Sequence, residues 1–308
     1  MTPEIQSAYL VPEGLSEPLL KEVGGVIAIH DRLVLSSQSF VNAHWAQNIW
    51  KNPIILSIDS INNAAKKLKA IQRNWCLYSF TLHRRAKLIE EKLNSKKLKP
   101  LAFAASLSEN PLGSWCLLDE NTILASTECS SPFANGEPSF IEDKVGPPNR
   151  AYLKIYEALT LAGEIPKSGE FCIDFGGSPG GWAWVIQKCG AEVLSIDRSA
   201  LDDSVANLKG VSFQKRDAFT VLPAEFKKEG KSVDWLFSDV ICYPEKLYDW
   251  LSVWIDSGIC KNFICTLKFK GEPEMDIIKK FSAIPRSKVL HLFHNKNELT
   301  FFRLGHDK

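Results

Sequence analysis

The sequence predicts a doubly wound α/β domain with a mostly parallel, seven-stranded sheet over residues 149–308, preceded by a smaller α+β unit over 1–130. Three observations carry this. Phe171 to Trp182 couple an apolar run to a glycine-rich turn and a helix start. Apolar runs and helical patterns then alternate to the end of the chain, as in a sheet covered on both faces. Finally, Asp174, Asp197, Asp217, Asp239 and Lys268 fall at or just beyond the carboxyl ends of those runs, where such sheets hold ligands.

Phe171 to Phe175 is apolar except for Asp174, the pattern of a buried parallel strand. Gly176, Gly177, Ser178, Pro179, Gly180 and Gly181 follow, and Trp182 opens a helix. Such a turn lets a ligand approach bare backbone, and the helix N-terminus favours a carboxylate or phosphate. The spacing is not G-x-G-x-x-G and no Gly-Lys-Ser/Thr follows, so neither a dinucleotide fingerprint nor a P-loop is present. Asp174 would repel a diphosphate, whereas it could hold an ammonium group. Asp197 ends the next apolar run, where an acid can accept both hydroxyls of a ribose. A ligand with an amino acid at one end and a nucleoside at the other satisfies both: S-adenosylmethionine. The expected cofactor wall is Asp174, the turn from Gly176 to Trp182, Asp197, Asp217 and Asp239. Asp217 could accept from an adenine amino group, with Phe219 nearby, or simply cap the next helix. The plain alternative is a glycine turn that only packs a helix on a sheet.

The remaining elements follow from periodicity. Strands are expected at 192–196, 211–215, 234–238, 261–267, 288–293 and 298–304, and helices at 150–161, 182–189, 245–256 and 273–282. Toward the N-terminus, a strand over 7–11 leads through Pro-Glu-Gly into an amphipathic helix ended by Gly24-Gly25. Further strands are expected at 26–29, 33–35, 54–58, 101–105, 114–118 and 122–126. Residues 131–148, with Pro132, Pro138, Pro147 and Pro148, read as a linker. Apolar content of 45% and charged content of 24% are those of a globular protein. The start has no basic n-region and no apolar h-region, and no run approaches the roughly 18 residues of a membrane span. The eight cysteines form no C-x-x-C pair. Free thiols in a reducing cytoplasm, without a metal site, are therefore expected.

Charge is uneven. Residues 61–99 hold eleven Lys/Arg, Arg84, Arg85, Lys96 and Lys97 among them, against Glu90 and Glu91. That stretch is +9 in a chain of net charge +1, which leaves −8 for the remainder. Such a concentration is the electrostatic footprint of a polyanion such as RNA, or else a solvated helical face.

Asp174-Phe175-Gly176-Gly177-Ser178-Pro179-Gly180-Gly181-Trp182 is similar to the first motif of the FtsJ-like ribose 2′-O-methyltransferases. Lys154, Asp239, Lys268 and Glu298 match that family's Lys-Asp-Lys-Glu tetrad in order and context. The resemblance is nearest to the branch that methylates a cytidine ribose in 23S ribosomal RNA. It implies a Rossmann-like class I methyltransferase domain, S-adenosylmethionine as cofactor, and a THUMP-like (ferredoxin-like) RNA-binding domain at the N-terminus. Under this reading Lys268 is the base that takes the ribose proton, since a hydroxyl is too weak an acid to attack unaided. A lysine can do this if desolvation or a neighbouring cation lowers its pKa from about 10.4. Lys154 supplies positive charge, while Asp239 and Glu298 orient the amines. Arg150, beside Lys154, and Lys270 are further candidates for RNA contact. Taken singly, Lys154 reads as an exposed helix charge, Lys268 as a solvated strand end and Glu298 as a partner of Lys296. Two alternatives stand beside this reading. One is a cytosine-5 methyltransferase using Cys242 and Cys265, although Pro-Cys is missing. The other is an RNA-binding module without activity.

Overall fold

The computed structural model describes residues 4–93, 99–107 and 110–305. The chain divides into two compact units: Met1–Leu101 with Leu107–Ser139, and Ala102–Ser106 with Phe140–Lys308.

The first unit runs β1 (Ser7–Leu10), α1 (Ser16–Glu22), β2 (Val26–His30), β3 (Leu33–Ser36), β4 (Asn48–Lys51), β5 (Ile54–Ser57) and α2 (Ile61–Ile71). It continues with β6 (Trp75–Leu77), α3 (His83–Leu93), β7 (Gly113–Asp119), β8 (Thr122–Ser126) and β9 (Glu128–Cys129). The strands form an antiparallel five-stranded sheet, β2-β3-β1-β4-β9, and a four-stranded sheet, β5-β8-β7-β6. The unit is α+β, as expected, but has two sheets where a ferredoxin-like plan has one. The cause lies in β7 and β8, which are apolar on both faces. Trp115, Leu117, Ile123 and Ala125 pack under α2 and α3 with Leu68 and Ile89. Their neighbours Cys116 and Leu124 point to the other face, onto Ala8, Leu10, Leu35 and Trp50 of the five-stranded sheet. A single helix-covered sheet would leave that second face in water. With their apolar stripes buried, α2 and α3 expose Lys66, Lys67, Lys69, Arg84, Lys87 and Lys92, and Arg73 is exposed just beyond α2.

The second unit runs α4 (Tyr152–Ala162), β10 (Phe171–Phe175), α5 (Gly181–Lys188), β11 (Glu192–Asp197), α6 (Asp203–Ala206), β12 (Val211–Lys215) and α7 (Pro223–Lys228). It ends with β13 (Val233–Ser238), α8 (Pro244–Ser257), β14 (Cys260–Lys268), α9 (Met275–Ser282), β15 (Ser287–Leu290) and β16 (Glu298–Arg303). The seven-stranded sheet is ordered β12-β11-β10-β13-β14-β16-β15. The first five of these strands are parallel, and β16 is antiparallel to both its neighbours. This is the Rossmann-like order of class I methyltransferases. The strand order reverses between β10 and β13, so a ligand crevice belongs outside their carboxyl ends.

Three expectations change. Residues 101–105 are not a strand: Phe103 joins the second unit, where it stacks on Tyr156 at 4.0 Å. The segment 131–148 divides between the units, with Phe133 buried in the first and Phe140 in the second. The strand expected at 288–293 stops at Leu290.

Ile89 is fully buried between α3 and the four-stranded sheet, whereas its neighbour Leu88 is exposed. Ile89→Ala should therefore destabilise the first unit by about 2–5 kcal/mol, and Leu88→Ala by no more than about 0.5 kcal/mol. Urea titration of both variants checks the contrast.

Candidate active site

Four charged side chains from distant parts of the sequence meet at the carboxyl edge of the second unit's sheet. Lys154 sits on the first turn of α4, Asp239 directly follows β13, Lys268 ends β14 and Glu298 begins β16. Lys268 and Glu298 are register partners across β14 and β16. The Lys154 ammonium pairs with Glu298 Oε1 and lies 3.5 Å from Asp239 Oδ1. Lys268 Nζ lies 3.0 Å from the same Asp239 Oδ1 and donates to the Asp239 main-chain oxygen at 2.6 Å. The two amines are unequal. Lys154 has 10% of its side chain exposed and lies inside, while Lys268 has 24% and faces a cavity.

A support that the sequence reading missed stands one turn along α4. Glu157 is buried and accepts from the N–H groups of Phe293 and His294 at 2.8 and 3.0 Å. It also pairs with His294 Nδ1 at 2.6 Å. These bonds fix the segment that delivers Glu298. The signal for it was an acid three residues after Lys154 in an otherwise apolar helix. His291, in the same segment, is pushed down to about 4 by burial, with the charge of Lys154 adding to the effect.

The cavity, of about 260 Å³, lies outside the ends of β10, β11 and β13; Gly176, Ser178, Asp197, Asp217, Phe219 and Asp239 are on its wall together with Lys268. Asp197 accepts from the N–H groups of Ser178 and Ser199 at 3.1 and 2.8 Å. Asp217 accepts from the Phe219 N–H at 3.0 Å, so it caps the short 3-10 turn Ala218–Thr220 and still faces the cavity. Gly176 has φ +75°, and a Cβ there would come within 2.9 Å of the Val240 main chain. The backbone therefore stays bare at this point. Acceptor carboxylates at two positions, with Ile196, Ala218 and Phe219 between them, suit a nucleoside that offers hydroxyls and an amino group. The residues present thus fit S-adenosylmethionine.

Other expected residues lie elsewhere. Asp174 is not on the wall: it is 0% exposed. A Cβ on Gly177 would lie 2.4 Å from its Oδ2, so the turn lies over the carboxyl and keeps it off the cavity wall. Burial, then the charges of Asp239 and Asp197, push Asp174 up to about 8. The Ser195 hydroxyl and the Ala183 amide oppose this shift, but neither reaches hydrogen-bond geometry. Pro179, Gly180 and Gly181 form the turn and the start of α5 behind the wall. Trp182 is buried and donates to the Ala151 oxygen at 3.2 Å. Arg150 is exposed and paired with Glu142 at 2.8 Å. In the first unit Arg84 is exposed and Arg85 half-buried on α3; Lys96 and Lys97 lie outside the described residues. Burial pushes the Cys242 thiol up to about 11 and the Cys265 thiol well above its usual range. Cys265 is sealed inside β14. Thiolate chemistry at either position is thus disfavoured. Among the described residues no group of three His, Cys, Asp or Glu could hold a metal ion, and no helix is long and apolar enough to cross a membrane.

Fold and site together define a class I methyltransferase domain. Residues 147–295 match the family model described as FtsJ-like methyltransferase, and this part of the chain is an FtsJ-like domain. A Ribosomal RNA large subunit methyltransferase M from Thauera aminoaromatica is 28% identical over 171 residues, covering 50% of this chain and 45% of the relative. One from Xanthomonas oryzae pv. oryzae is 30% identical over 206 residues, covering 60% and 56%. The chain spans about half the length of the curated relatives it matches.

The raised pKa of Asp174 makes a prediction with a definite sign. An acid whose folded pKa lies above its unfolded value binds its proton more tightly in the folded state. Its contribution to stability is full below the unfolded pKa of about 3.9 and is lost as pH rises through about 8. Asp174→Asn keeps the shape and cannot ionise. Thermal melts at pH 5, 7 and 9 should show the variant gaining on the wild type as pH rises, and a pH-independent difference would remove Asp174 as the titrating group.

Proposed function

We propose that the protein is an S-adenosylmethionine-dependent RNA ribose 2′-O-methyltransferase that acts on large-subunit ribosomal RNA, with cytidine as the target nucleotide. The observation that carries the reading is the bonding of Lys268. A neutral amine has two N–H donors and one lone pair. Asp239 offers its main-chain oxygen at 2.6 Å and Oδ1 at 3.0 Å, enough for both donors. The lone pair is then left for a proton on the cavity side. When bound, S-adenosylmethionine supplies a methyl group on a cationic sulfur. Asp197 would hold the ribose hydroxyls of the cofactor and Asp217 its adenine amino group, while Gly176 and Ser178 border its amino-acid end. Lys268 removes the proton of the ribose 2′-hydroxyl as its oxygen attacks, and keeps that proton as ammonium. Asp239 holds Lys268 in place through both of its oxygens. Lys154, between Asp239 and Glu298, offsets part of their charge.

The first unit contributes none of these residues. We propose that it is a THUMP-like RNA-binding domain whose basic helices α2 and α3 contact phosphates, a sequence-independent source of affinity. Arg150 and Lys270 would add such contacts beside the site.

Lys268→Ala should abolish methyl transfer to ribosomal RNA while cofactor affinity stays within a few-fold. Lys268→Arg should not rescue, because arginine remains protonated. Asp197→Ala should instead weaken cofactor binding. Tritium transfer and calorimetry on the full chain separate the two effects, and full activity of Lys268→Ala would remove Lys268 as the base.

Charge reversal of the basic stretch, with Arg84, Arg85, Lys96 and Lys97 all changed to Glu, should weaken RNA binding and flatten its dependence on salt. Calorimetry with the cofactor should give the wild-type value. Equal salt slopes for variant and wild type would reduce the stretch to a solvated face.

A further inference from the structure

The loop between β13 and α8 carries a feature that neither the acid–base network nor the cofactor wall uses. It begins at Asp239 and ends at Pro244, the first residue of α8. Val240 is buried against the glycine turn, but Ile241 is 87% exposed and Tyr243 62% exposed. Single exposed apolar residues are ordinary on a protein surface; the location of Ile241 is not. Ile241 is on the wall of the same cavity as Lys268 and Asp239. Tyr243 occupies the N-cap position of α8 without a side-chain capping bond. Neither its hydroxyl nor its ring has a partner among the described residues. Other rings of the same unit are engaged: Tyr248 packs on Phe281, Phe219 on Trp250, and Tyr152 on Trp184. Tyr243 stands free two residues beyond Ile241, in the loop that carries Ile241 to the cavity.

The chemistry of the substrate supplies the occupant. A ribose hydroxyl that reaches Lys268 brings its own base with it, because base and ribose are covalently joined through the adjacent carbon. The base must leave its stack to enter, losing a few kcal/mol of stacking, and a protein surface that stacks it again offsets that loss. Aromatic and apolar side chains do this for any base, since every base has a π-face. We propose that Ile241 and Tyr243 form the platform on which the base of the target nucleotide stacks, which would make the loop after β13 a determinant of substrate positioning. This rests on the RNA ribose methyltransferase reading above.

The test compares the full-length wild type with Tyr243→Ala, Tyr243→Phe and Ile241→Ser, using an in vitro transcript of large-subunit ribosomal RNA and S-adenosylmethionine. Loss of one stacking contact should lower kcat/KM for RNA by about ten- to a hundredfold in Tyr243→Ala. Ile241→Ser should lower it less, and Tyr243→Phe should retain the wild-type value because the ring alone is needed. KM for S-adenosylmethionine should not move in any variant. If the wild type methylates the RNA and Tyr243→Ala matches it within twofold, the platform is wrong and the parent reading stands. If cofactor KM rises in step with the loss, the loop belongs to the cofactor pocket and the platform is again wrong. If the wild type methylates no RNA, the ribose methyltransferase reading fails, and the platform fails with it.

Discussion

The paired charges of Lys154, Asp239, Lys268 and Glu298 set the condition that the second unit has to satisfy. Charges removed from water are tolerated only when they are paired and hydrogen-bonded, and these four come from α4, the end of β13, the end of β14 and the start of β16. Lys154 and Glu298 are 144 residues apart in sequence. The antiparallel direction of the last strand is part of the solution. β14 runs toward the site and finishes at Lys268, so an antiparallel neighbour begins there, with Glu298 opposite Lys268. A parallel strand would begin at the far edge of the sheet and bring its first residue nowhere near the amine. Glu157 completes the arrangement by pinning the Phe293–His294 backbone just ahead of that strand.

The same edge of the sheet gathers three acids at or beside the cofactor wall. Asp174, Asp197 and Asp239 stand at the ends of the adjoining strands β10, β11 and β13. Asp239 is balanced by two lysines, and Asp197 accepts from two backbone N–H groups. Asp174 has neither compensation, and the field of the other two acids adds to its burial. The cavity wall itself carries both signs, with Arg198, Arg216 and Lys268 beside Asp197, Asp217 and Asp239.

Much of the second unit was legible because its strands are short apolar runs and its ligand-facing residues stand at their ends. Asp197, Asp217, Asp239 and Lys268 could be placed by that rule alone. Lys154 and Glu298 could not, since an exposed helix lysine and a strand-opening glutamate have the same local signal; the family pattern supplied them. The burial of Asp174 was invisible for a different reason. A strand-end acid faces the ligand or lies beneath the turn according to how the glycines fold over it, which is a tertiary outcome. In the first unit the strands β4, Asn-Ile-Trp-Lys, and β6, Trp-Cys-Leu, are too short to show a period. They exist because distant strands pair with them, as β1 does with β4 and β7 with β6. The strand expected at 101–105 failed by the same logic: Phe103 found a partner in Tyr156 instead of a sheet.

On the proposed reading, the site separates RNA from DNA without reading either sequence or shape. Both polymers offer phosphates to a basic helix, so α2 and α3 cannot tell them apart strongly. A base that leaves its stack could rest on Ile241 and Tyr243 in either case. Only the ribose 2′-hydroxyl, which DNA lacks, gives the lone pair of Lys268 a proton to accept. Discrimination then lies in the chemical step and not in the affinity. It follows that a DNA strand of matching sequence would act as a competitor that occupies the surface and is never modified, and that its inhibition would weaken with salt as steeply as RNA binding does.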